Sequence, residues 1–132
     1  MKKRTFLLNK LVRDSIVDRM LEEGQEPDFH TLDGVSFLAS LRNKILEEIG
    51  EVPLSNADEA LKELADVQEA LDALVLALGK SKNELMLAQK EKNQKRGAFT
   101  KRLFVETVTV PAESAWVTYY INEPDRFPEV LE

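Results

Sequence analysis

Two neighbouring stretches with a helical apolar period constrain this chain more than any other feature. From about Asp33 to Val52 the residues Leu38, Leu41, Ile45, Ile49 and Val52 recur three or four positions apart, and Pro53 stands where that pattern stops. From about Asn56 to Leu78 the same period runs through Ala60, Leu61, Leu64, Val67, Leu71, Leu74, Val75 and Leu78, with Gly79 just beyond. Such spacing puts the apolar side chains on one face of each helix, and two faces joined by a short connection bury themselves by packing antiparallel. Asn56 and Glu59 form a capping box at the start of the second helix.

Shorter signals extend the reading in both directions. Lys10 to Glu23 reads as a first helix, with Val12, Ile16 and Met20 in register and Gly24 as its stop, followed by a loop around Pro27. Ser81 and Glu84 form a capping box that opens a fourth helix running to about Arg96, ended by Gly97. Four helices with short links predict an all-α antiparallel bundle. LFVETVTV and AWVTYYI, rich in β-branched and aromatic residues and separated by PAES, predict a small C-terminal β-hairpin. The 132 residues are read as one domain, with a helical part over about 9–97 and a C-terminal extension over about 103–132.

Composition removes several function classes. Without cysteine there is no disulfide framework, thiolate metal site or cysteine nucleophile, and a reducing, cytoplasmic setting is expected. One histidine, His30, leaves multi-histidine zinc sites and serine–histidine triads without their parts, and its place in an acidic loop reads as surface. A net charge of -6 argues against binding nucleic acid through overall electrostatics. MKKRTFLLNK lacks the apolar core of a signal peptide, and no run approaches membrane-spanning length.

The acidic residues are the informative ones. Turning each position by about 100° along ILEEIGEV places Glu48 roughly 60° from the centre of the apolar stripe and Glu51 roughly 120°, whereas Glu47 points away toward solvent. In ELADVQEA, Glu63 falls roughly 70° and Asp66 roughly 130° from the stripe, in the same rotational sense. Antiparallel packing of the two faces therefore gathers Glu48, Glu51, Glu63 and Asp66 on one side of the helix pair. Crowded carboxylates call for a cation, and hard divalent ions such as Mg²⁺, with Mn²⁺ as a substitute, take oxygen ligands. Taken singly, either acidic pair reads as a solvated helix face. An axial mismatch accompanies the pairing: Glu51 ends its helix while Asp66 lies well inside the next, which calls either for a linker from Pro53 to Asp58 more open than a minimal turn or for a helix that continues past Pro53 with a kink.

Candidate anion contacts lie elsewhere. Lys92 and Arg96 share a face with Leu85 and Ala88, which suits a phosphate clamp, although a cation near a helix C-terminus is equally explained by the helix dipole. Asn93 offers a hydrogen bond to a base or sugar but is also an ordinary solvated side chain. NKLVRD brings Lys10, Arg13 and Asp14 into an opening helical turn, where capping and surface ion pairing explain Asp14. Trp116, Tyr119 and Tyr120 are read first as packing or subunit contacts and second as a surface on which a base stacks.

These motifs together resemble a known family. EExxE at Glu47–Glu51, ExxD at Glu63–Asp66 and KxxxRGxF at Lys92–Phe99 look like the motif series of the MazG-like all-α nucleoside triphosphate pyrophosphohydrolases. NKLVRDSI resembles the NKLVRDKI opening of the phosphoribosyl-ATP pyrophosphohydrolase-like branch, with Ser15 in place of its lysine. The resemblance spans residues 9–104 and implies a helical bundle, homodimers or homotetramers, and Mg²⁺-dependent hydrolysis of a nucleoside triphosphate to the monophosphate and pyrophosphate. Carried over by position, it implies metal ligands at Glu48, Glu51, Glu63 and Asp66, an outer or second-metal role for Glu47, and phosphate contacts at Lys92 and Arg96. Glu47 or Glu48 is then the candidate to orient or deprotonate water, and Asn93, Lys10 and Arg13 are further substrate-binding candidates. Two rivals stand beside it: hydrolysis of phosphoribosyl-ATP, and a non-catalytic helical dimerisation module with solvated acids.

Overall fold

Residues 2–131 are described by a computed structural model, and five segments of them are helical: α1 (Ile16–Glu22), α2 (Gly34–Gly50), α3 (Ala57–Ala77), α4 (Lys82–Arg96) and α5 (Ala115–Ile121). The chain divides into two compact units, Met1–Lys95 and Arg96–Glu132.

In the first unit α2 and α3 form the packed centre. Asp33 starts α2 by accepting the Ser36 N–H at 2.8 Å, and Asn56 starts α3 by accepting the Glu59 N–H at 3.1 Å, so each helix has one of its orphan donors satisfied locally. Hydrogen bonding from the Ser36 backbone also holds the Asp33 carboxyl below its ordinary range. Between Gly50 and Ala57 the chain runs through Pro53 without helical structure, an open connection that folds α3 back on α2. Leu41 in the middle of α2 and Ala70 and Val75 in the second half of α3 are the buried apolar residues among those described. At the other end of the pair the buried residue is Glu48.

Glu51 is the C-cap of α2, about 4.5 Å along the axis beyond Glu48, and the chain leaves the helix there through the Pro53 connection.

α3 closes with a left-handed Gly79 (φ +78°): the Lys80 N–H reaches the Val75 carbonyl at 3.0 Å and the Gly79 N–H reaches that of Leu76 at 2.9 Å. Only glycine takes this conformation without a Cβ penalty. The capping box opening α4 is reciprocal: the Glu84 N–H donates to Ser81 Oγ at 3.1 Å, and the Ser81 N–H donates to Glu84 Oε2 at 3.2 Å.

Three sequence expectations are corrected. The first helix begins at Ile16, not Lys10; Asn9 adopts φ +46°, and the described residues up to Arg13 run without helical structure, since Val12, Ile16 and Met20 give one apolar residue per turn, too narrow a stripe to hold a longer helix by packing. The four-helix bundle does not form within the chain: α2 and α3 are the helices that pack together, and α4 has no buried residue. The C-terminal hairpin is absent, since no strand occurs among the described residues and AWVTYYI is α5.

The reason for the last correction lies in the rings. Ser114 caps α5 by accepting the Trp116 N–H, and the i, i+3, i+4 spacing puts Trp116, Tyr119 and Tyr120 together, with centroids 5.2–6.1 Å apart. Phe127 completes the cluster at 5.1 Å from Tyr120. A strand would send Tyr119 and Tyr120 to opposite faces and break that cluster.

Candidate metal centre

Glu48, Glu63 and Asp66 each offer a carboxylate oxygen to one group whose members all lie within 4.8 Å of one another. Glu48 comes from the last turns of α2, and Glu63 and Asp66, three apart, from neighbouring turns of α3. Oxygens on a six-coordinate Mg²⁺ stand about 2.9 Å apart when adjacent and about 4.2 Å when opposite, a spacing that small side-chain rotations reach from here. The donor set is all oxygen and anionic, which suits a hard divalent ion.

The crowding has an electrostatic signature. Burial, followed by the charges of Asp66, Glu51, Glu48 and Glu59, raises the pKa of the Glu63 carboxyl above its ordinary value. Glu51 is thus close enough to act on Glu63 through its charge, but it does not join the three-oxygen group.

Glu47 departs from the sequence expectation. It does not face solvent; its side chain is 29% exposed and accepts from Lys10 Nζ at 3.1 Å and Lys44 Nζ at 3.5 Å. The interaction with Lys10 comes first among the causes that hold its carboxyl below the ordinary value. Asn9, Lys10 and Leu11 lie beside Glu47 on that flank of α2, and the period of one helix carries no information about such a segment.

Lys44 is the residue that the sequence reading missed. Its ammonium is 3.1 Å from Glu48 Oε1, in a pair whose side chains are only 21% and 12% exposed. Burial works against its charge, but the hydrogen bond to Glu48 and the charges of Glu47 and Glu48 outweigh it and raise its pKa. A signal was present: lysine precedes glutamate by four, the weaker order for supporting a helix, so helix stability alone is a poor reason for it.

The segment before α1 completes the surround. Arg13 Nη2 donates to Asp66 Oδ1 at 2.6 Å across 53 residues of sequence. With Asn9 and Leu11, Lys10 also walls a cleft of about 80 Å³ against Ser40, Lys44 and Glu47 of α2. Both N-terminal cations proposed from NKLVRD are therefore at the acids.

Lys92 and Asn93 are not, and Arg96 begins the second unit. All three are exposed on α4, and no ion pair among the described residues involves Lys92 or Arg96. α4 is tied to α3 at its start, where Lys82 Nζ lies 3.4 Å from Asp72 Oδ2. The surface beside Asn93 is an open face of that one helix, lined with Met86 and Lys90 and holding no carboxylate. His30, exposed in its loop, is likewise outside the acidic group.

Among the described residues no helix is long and apolar enough to cross a membrane. No protein-family model, curated protein or solved structure matches the chain.

Proposed function

We propose that this chain is a Mg²⁺-dependent pyrophosphohydrolase that cleaves a nucleoside triphosphate to the monophosphate and pyrophosphate in nucleotide-pool house-cleaning. The observation that carries the reading is the convergence of Glu48, Glu63 and Asp66 oxygens within 4.8 Å across the α2–α3 pair. The ordered motif series from Glu47 to Phe99 supports the reaction class.

In this reading Glu48, Glu63 and Asp66 hold the cation. Bound there, Mg²⁺ supplies charge for the triphosphate oxygens and lowers the pKa of a water. Glu47, outside the three-oxygen group and already fixed by Lys10 and Lys44, orients the attacking water or takes its proton. The water oxygen bonds to the α-phosphorus as the P–O bond to the bridging oxygen breaks, the water proton passes to Glu47, and pyrophosphate leaves. Arg13 and Lys10 are the cations nearest the acids and are assigned to the phosphates. Lys44 positions Glu48: a carboxylate has enough lone pairs to accept from the ammonium and still serve the cation.

A panel of ribo- and deoxyribonucleoside triphosphates together with phosphoribosyl-ATP, assayed for pyrophosphate release with Mg²⁺ and with Mn²⁺, tests activity and substrate class at once. Release from nucleoside triphosphates is expected; release from phosphoribosyl-ATP alone would move the reading to its rival substrate, and none from any member would end it.

A second reading has its own observation. Leu46 on α2 and Leu61 and Leu76 on α3 are each at least 65% exposed, which favours a helical face that assembles with further copies into a homodimer or homotetramer. Alone, that reading makes the chain an interaction module, and it predicts no Mg²⁺-dependent nucleotide binding by calorimetry.

A further inference from the structure

Three cations attend the acidic group, and they are not equivalent. Lys44 lies on α2 itself, within a turn of Glu48, in the least exposed of the ion pairs. Arg13 arrives from a segment without helical structure, and its pair with Asp66 is open to water, with side chains 55% and 41% exposed. Lys10 takes Glu47 rather than a member of the three-oxygen group. Arg13 is therefore the cation that both occupies a metal-ligand candidate and is cheap to remove, because an exposed ion pair contributes little net free energy.

We propose that Arg13 is a displaceable counter-cation: it holds Asp66 while the carboxylates carry no divalent ion, is released when the ion binds, and then takes a phosphate oxygen of the substrate. The proposal rests on reading Glu48, Glu63 and Asp66 as the cation site and deepens it into a coupling between ion and substrate. Two features carry it. The guanidinium is on Asp66 Oδ1 at 2.6 Å, so a divalent ion shared by Asp66, Glu48 and Glu63 meets like charge unless Arg13 moves. The segment from Lys2 to Arg13 forms no helix or strand, so release of the Arg13 side chain breaks no backbone hydrogen bond of α2 or α3. Once released, its planar fork of donors matches phosphate oxygens better than a lysine would. Ion binding then prepares the anion contact, and by linkage the anion strengthens ion binding.

The test is calorimetric and uses the full chain. Mg²⁺ is titrated into wild type, Arg13→Ala and Arg13→Lys without phosphate; inorganic triphosphate is then titrated into each at saturating Mg²⁺. A displaceable Arg13 makes the two affinities move in opposite directions in Arg13→Ala: Mg²⁺ binds about three- to tenfold tighter and triphosphate about tenfold weaker, with Arg13→Lys between. If Arg13 is only a tether, Arg13→Ala weakens both or changes neither, and the proposal is overturned with the cation site intact. Wild type that binds no Mg²⁺ overturns the cation site and the proposal together.

Discussion

α3 and α4 follow one another with a few residues between them, and both were read from a capping box at the start and a glycine at the end, yet one is packed and the other is not. α3 meets α2 and buries Ala70 and Val75; α4 exposes Met86 and Leu87 and buries nothing. The difference lies in the width of the apolar face. α3 carries apolar residues from Ala60 to Ala77, about five turns, whereas α4 has Leu85 to Ala88 and then a polar run from Gln89 to Arg96. Periodicity is enough to specify a helix, but packing needs area.

Removing a packed side chain is the strongest way to break the comparison. Leu41→Ala, at a position 3% exposed, is expected to cost about 2–5 kcal/mol in denaturant unfolding, while Met86→Ala on α4 stays within about 0.5 kcal/mol. Equal losses at the two positions would mean that α4 is packed in solution.

The acids give the next effect. Glu63→Gln is expected to lower Mg²⁺-dependent pyrophosphate release by at least about a hundredfold, and Lys92→Ala by about tenfold or less. A Lys92 effect as large as that of Glu63 would place α4 at the site of the reaction.

The caps divide the regions more finely. Ser81→Ala removes half of the reciprocal box and is expected to cost about 1 kcal/mol, read as faster amide exchange along α4 with the protection of α2 and α3 unchanged.

The smallest effect is one of pH. The folded-state pKa of Glu63 is raised from its ordinary 4.5, so the folded chain holds that proton more tightly than the unfolded chain. Without divalent ions, its contribution to stability is therefore full below 4.5 and is lost as pH rises through the folded value. Melting temperatures measured upward from that pH should fall for wild type, and less steeply for Glu63→Gln. Glu47 has the opposite sign: its lowered pKa gives stability that is present above its ordinary 4.5 and lost on further acidification.

What could be read from the sequence follows the range of the interactions involved. The long helices, their stops and their caps are encoded within a few residues, and Asn56, Gly79, Ser81 and Glu84 act as their positions suggest. Glu48, Glu63 and Asp66 were legible because a helix turns by a constant angle and the pairing is between adjacent helices. Glu51, read with them, acts on Glu63 through its charge and stands outside the three-oxygen group. Glu47, Lys10 and Arg13 depend on a segment with no period of its own lying across the acids, a contact 53 residues long in sequence for Arg13 that no local rule encodes. AWVTYYI was misread because strand propensity for aromatic and β-branched residues gives way where a cap and a ring cluster favour the helix.

The end of α2 has a consequence of its own. No basic residue lies in its last turn, so the negative end of the helix dipole falls close to Glu48. Backbone and side chains therefore draw cations to the same point from a distance, in a chain whose net charge is -6. Such long-range attraction governs how fast an ion arrives more than how long it stays. Raising monovalent salt should slow Mg²⁺ association steeply, as the attraction is screened, while leaving its departure nearly unchanged.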